Sequence, residues 1–121
     1  MQPTFTFNPI RRLAYINTAG LQQFPEMEYA LFLISATEKR LNIYPCDANT
    51  RDAVRLRSGG LSKNKPRYIR CLDDFSDKLL LLMTWNNDYK YRMQGELALS
   101  DNSIILTFDL TSAEVFIYAN R

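Results

Sequence analysis

Twice along this chain the residues run through the same order, a short strand, a helix and a hairpin, and no single piece is long enough to stand alone. In the first pass, Arg12-Leu13-Ala14-Tyr15-Ile16-Asn17 predicts a strand, and Asn17 or Thr18 caps a helical turn through Leu21 and Phe24 that stops near Pro25. The apolar run Tyr29-Ala30-Leu31-Phe32-Leu33-Ile34 then turns at Ala36-Thr37-Glu38-Lys39 and returns as Leu41-Asn42-Ile43-Tyr44, closed by Pro45.

The second pass opens with Arg67-Tyr68-Ile69-Arg70-Cys71 as a strand. Leu72, Phe75, Leu79, Leu82 and Met83 follow at spacings that line one helical face. Asp73, Asp74 and Asp77 occupy the first turns of that helix, where the macrodipole favours negative charge. Tyr89-Lys90-Tyr91-Arg92-Met93 leads through Gly95 into Leu97-Ala98-Leu99. An Asp101-Asn102 turn then reverses the chain into Ile104-Ile105-Leu106-Thr107-Phe108. The tail from Thr111 fits both a capping box, Thr111-Ser112-Ala113-Glu114, and a strand, Val115-Phe116-Ile117-Tyr118. The fold class expected is therefore α+β, mostly β: two strand-helix-hairpin units, 11–45 and 67–110, around one barrel-like core. A basic linker, 51–66, joins them within a single domain. With 121 residues and 46% apolar content, a core of that size needs no metal or disulfide.

Charge is distributed unevenly. Arg51, Arg55, Arg57, Lys63, Lys65, Arg67 and Arg70 stand against Asp52 alone, a local excess of six in a chain whose net charge is only +2. The remainder is therefore net acidic, and from Cys71 to Glu114 there are eight acids and three bases. Such polarity suits an anionic partner, with DNA the first to consider: the cations would neutralise phosphates, and Tyr68 would offer a stacking surface for an unpaired base. Two other readings stand beside it. The cations could face water along a strand edge and keep other chains from pairing there. They could also dock on the acidic half of this chain or of a second copy, giving a homodimer.

The chain contains no histidine, so Ser-His-Asp and Cys-His catalysis lack their imidazole, and no enzymatic activity is expected. No cofactor is expected either. Gly59-Gly60 has neither the spacing nor the Lys-Ser/Thr of a phosphate loop, and the aspartates of the second helix are accounted for by helix-start electrostatics without a metal. Cys46 and Cys71 read as two reduced thiols. The N-terminus lacks a signal-peptide pattern and the longest apolar run, Leu79 to Met83, is too short to span a bilayer, so no membrane association and a cytoplasmic location are expected.

The segments Arg12 to Asn17, Glu28 to Leu33 and Lys39 to Tyr44 resemble the swapped-hairpin module of AbrB-like transition-state regulators, and the tandem pair is similar to the MraZ arrangement. Asn17 stands where that family usually has Pro. The resemblance implies interlocked halves and DNA binding. The stretch from Phe75 through Trp85 to Asp109 also looks like small proteins of phages and mobile elements in Firmicutes, sometimes labelled integrase. Without histidine the chain lacks the Arg/His/Tyr set of a tyrosine recombinase. The function expected is a non-enzymatic DNA-binding accessory or regulatory protein. The alternative is a protein-interaction module or inhibitor encoded by a mobile element or phage, meeting a protein partner.

Overall fold

The computed structural model describes residues 2–23, 28–56, 68–71 and 73–117. Its strands are β1 (Thr4–Asn8), β2 (Leu13–Ile16), β3 (Tyr29–Ser35), β4 (Arg40–Cys46), β5 (Val54–Arg55), β6 (Tyr68–Arg70), β7 (Tyr89–Ser100), β8 (Ser103–Asp109) and β9 (Glu114–Ile117); the helices are α1 (Thr18–Gln22) and α2 (Asp73–Met83). The sheet order is β5-β3-β4-β8-β7-β1-β2-β6, with β9 beside β7, and it curls into a nearly closed barrel. The mostly β, barrel-like α+β architecture is as the sequence predicts.

Strand, helix and hairpin recur in order as β2-α1-β3-β4 and β6-α2-β7-β8, and the cross-pairing relates like to like. β2 pairs β6 antiparallel, and β4 pairs β8 antiparallel. Ahead of each unit stands one further strand that pairs with the other unit's hairpin, β1 with β7 and β5 with β3. Val54–Arg55 is thus a strand inside the segment read as a linker, and β1 was not anticipated from the sequence at all.

Local chemistry accounts for the element ends. The Asn17 side chain caps α1, accepting the Gly20 N–H at 2.9 Å and the Thr4 N–H at 3.0 Å, so this one residue ties α1 to β1. Thr84 ends α2 in the left-handed region at φ 56°, and the Trp85 N–H reaches back to the Leu80 carbonyl at 3.0 Å as in a Schellman cap. Asp101 and Asn102, both at positive φ, make the two-residue turn that sets Ser100 opposite Ser103. The ambiguous tail takes a 3-10 turn at Leu110–Ser112 and then a strand.

β7 is the member common to both parts of the sheet. Tyr91 to Gln94 pair β1 and Tyr89 to Arg92 pair β9, whereas Gly95 onward pairs β8. Glycine is required at the crossover, since a Cβ there would lie 2.4 Å from the Phe108 ring. The core is drawn from both units. Phe5 packs on Phe32 and Phe108 at ring distances of 5.9 and 5.7 Å, Phe75 bridges Phe32 and Phe7, and Trp85 stacks on Tyr91 at 4.2 Å. Of the helical face, Leu79 is fully buried, while Phe75, Leu82 and Met83 pack partly buried against the core. Leu72 lies outside the described residues. No helix among the described residues is long and apolar enough to cross a membrane.

Candidate nucleic-acid interface

Of the island residues, Arg57, Lys63, Lys65 and Arg67 lie outside the described residues. Of the rest, Arg51 and Arg70 line one cleft between β3, β6 and α2, while Arg55 is engaged elsewhere on β5. Arg51 stands exposed in the turn before β5, its Nε 4.0 Å from Asp52. Arg55 on β5 pairs with Glu28 at 3.1 Å and sits over the Tyr29 ring at 5.9 Å. These contacts are with Asp52 of the linker itself and Glu28 of the first half, and in the described residues no island cation pairs with the acidic second half. Both pairs are solvent-exposed, where ion pairs contribute little stability. Tyr68 and Arg70 are in β6, opposite Tyr15 and Leu13.

That register leads to a group of residues the island reading missed. Side chains alternate along a strand, so residues paired across neighbouring strands share a face. Starting from β9, Glu114 is paired with Arg92, Arg92 with Thr6, and Thr6 with Tyr15: one unbroken row of register across four strands. Beside it Lys90 is opposite Phe116, Asn8 opposite Leu13, and Leu13 opposite Arg70. The face is concave, with a depression of about 340 Å³ over β1, β2, β7 and β9 lined by Tyr15, Lys90, Arg92 and Phe116 among others.

One of its cations, Arg92, is held in place by its neighbours. Arg92 sits over the Phe116 ring, 4.8 Å from its centroid, and donates to Glu114 at 3.2 Å. Behind the face, Tyr91, Met93, Phe5 and Phe7 are buried, so the platform rests on a densely aromatic part of the core. Aromatic rings and cations set on a rigid sheet suit stacking of bases and contact with phosphates.

A signal for half of this face is in the sequence. The alternation Tyr89-Lys90-Tyr91-Arg92 puts both cations on the side opposite buried Tyr91. What joins them to Tyr15 and the end of the island is β1 lying between β2 and β7, a long-range pairing that no local pattern announces.

Away from this face, burial pushes the Cys71 thiol up to about 12, and both cysteines are free. Asp109 lies below the usual carboxylate range, chiefly because it accepts the Thr111 hydroxyl at 2.6 Å. Among the described residues no group of histidine, cysteine or acidic side chains is arranged to hold a metal. Comparison with family models, curated proteins and solved structures found no match.

Proposed function

We propose that this chain is a non-enzymatic nucleic-acid-binding protein of the cytoplasm, acting as an accessory or regulatory factor with DNA as its first partner. The observation that carries the reading is the cross-strand row Arg92-Thr6-Tyr15, flanked by Lys90, Phe116 and, beyond Leu13, Arg70. It combines cations that can neutralise phosphates with rings that can stack on bases, on a surface backed by the core. The swapped-hairpin resemblance points the same way. Stacking favours exposed bases, so single strands should bind more tightly than duplex.

Fluorescence anisotropy with a labelled single-stranded oligonucleotide tests this. The double variant Lys90→Ala/Arg92→Ala should weaken binding at least about tenfold at low salt. It should also flatten the dependence of log affinity on log salt by roughly 0.7 for each phosphate no longer neutralised. Unchanged affinity and slope would remove the basis of the proposal.

A second reading has its own observation. At the tip of the β7–β8 hairpin the core-facing side runs out past the barrel, leaving Leu97, Leu99 and Ile104 exposed, with Leu99 directly opposite Ile104. Apolar side chains grouped on a surface mark interaction sites, which favours a protein partner or a homodimer. A protein that ignores oligonucleotides but self-associates through this tip would make that reading the better one.

A further inference from the structure

Among the described residues the barrel is nearly but not fully closed, and its opening is shaped. The two ends of the strand order are β5 with β3 on one side and β6 on the other. β5 pairs only Tyr29 and Ala30, so among the described residues no strand covers Leu31 to Ser35 on that edge. Between β3, the turn ahead of β5, β6 and α2 lies a cleft of about 460 Å³. That volume falls in the range of small-molecule sites, and the mouth of a β-barrel is one of the places where such sites occur.

The lining has two parts. Phe32, Ile34, Val54, Ile69, Cys71 and Phe75 give an apolar floor. The charged members are Arg51, Asp52, Arg70, Asp74 and Lys78, three cations and two acids. Arg51 is partly engaged by its neighbour Asp52, but among the described residues Arg70 and Lys78 make no ion pair. Asp74 is in the first turn of α2, where the helix dipole already offsets its charge. The cleft therefore presents an apolar floor beneath a rim with an excess of one positive charge and two cations outside any ion pair of the described residues.

We propose that this cleft binds a small amphipathic anion, its hydrocarbon or aromatic body on the floor and a single carboxylate or sulfonate at the rim beside Lys78 and Arg70. A ligand of this class buries the floor without stranding a charge there, and its head supplies an anionic partner for Lys78 and Arg70. Cys71 takes no chemical part, because its thiol stays protonated.

The site shares only Arg70 with the sheet face proposed for nucleic acid, and the test turns on residues that belong to one site alone. The whole chain is titrated with 1-anilinonaphthalene-8-sulfonate, itself an aromatic body with one anionic head, by fluorescence and calorimetry. Saturable one-to-one binding is expected. Decanoate should displace the probe and decyltrimethylammonium should not. Lys78→Glu reverses an exposed charge without touching the core, and should weaken probe binding about tenfold through loss of one attraction and gain of one repulsion. Val54→Trp fills the floor and should abolish binding with the near-UV circular dichroism retained; should that variant fail to fold, Lys78→Glu and Lys78→Ala together decide the matter. The Lys90→Ala/Arg92→Ala variant should bind the probe as the unaltered chain does. Binding that survives Lys78→Glu, or that the cationic amphiphile displaces as well as decanoate, overturns the proposal and leaves a nonspecific apolar surface. Loss of oligonucleotide binding with probe binding retained would bear on the sheet face alone.

Discussion

β1 and β5 hold the same place in the two halves, each a strand ahead of its unit that crosses to the hairpin of the other, yet they are built very differently. β1 has five residues and is paired on both sides, by β2 and by β7, with Phe5 and Phe7 driven into the core. β5 has two residues, pairs only β3 among the described residues, and just beyond its end buries Leu56, whose N–H donates to the Glu28 carbonyl at 2.8 Å. Where the strand is complete the sheet forms a continuous outer face, and there the cations and rings line up across strands. Where it is cut short the barrel opens into a cleft. A repeated order thus gives two dissimilar surfaces, and the difference follows from how many backbone groups each leading strand can pair.

The comparison breaks most completely if the halves do not need one another. Each depends on strands of the other to cover its edges, so fragments 1–52 and 55–121 should each be unfolded or self-associated when expressed alone, and mixing them should restore structure. A dispersed NMR spectrum from either fragment as a stable monomer would mean that the cross-pairing of β1 with β7 and β4 with β8 is dispensable. Such a result would also take away what the interlocked-hairpin resemblance lends to the nucleic-acid proposal.

A finer test sets the two leading strands against each other. Phe5 touches Phe32 and Phe108 and is fully buried, so Phe5→Ala should cost about 3 to 5 kcal/mol in chemical denaturation. Leu56 is as deeply buried, but among the described residues its strand is paired on one side only, and Leu56→Ala should fall near the low end of its class, about 2 kcal/mol. Equal losses would show that β5 is anchored as firmly as β1.

The smallest effect concerns the thiols. Cys71 closes β6 inside the core, whereas Cys46 ends β4 half-buried. Alkylation requires thiolate, so at pH 8 Cys46 should react with iodoacetamide well before Cys71 in the native protein, and mass spectrometry of timed samples resolves the order. Linkage gives a second readout. The unfolded Cys71 thiol ionises near its ordinary value of 9.0 and the folded one only at about 12. Below pH 9 both states are protonated and stability is unaffected by this group; between 9 and 12 the unfolded state alone releases a proton, so stability falls as pH rises. Cys71→Ser should lessen that alkaline decline, whereas Cys46→Ser should leave it unchanged.

Much of this protein was written locally. The capping side chain at Asn17, the left-handed pair Asp101-Asn102, the acidic start of α2 and the placement of Leu79 on its buried face are each set by a few neighbouring residues, and each is where the sequence puts it. The mostly β, barrel-like class followed because two hairpins with apolar alternation must cover one another. Other features had no local cause. Thr4–Asn8 is a strand because β2 and β7 lie on either side to pair it, and Val54–Arg55 because β3 offers its edge. The charge island illustrates the gap well. Proximity along the chain put Arg51, Arg55 and Arg70 in one group, but pairing across the sheet divides it: Arg55 goes to Glu28, whereas Arg51 and Arg70 both line the cleft, Arg70 at its border with the outer face. Sequence determines which residues alternate in or out of a strand, because that period is fixed by the backbone. Which strands become neighbours is decided by burial and hydrogen-bond closure over the whole chain, and only that choice turned Tyr15, Lys90, Arg92 and Phe116 into one surface.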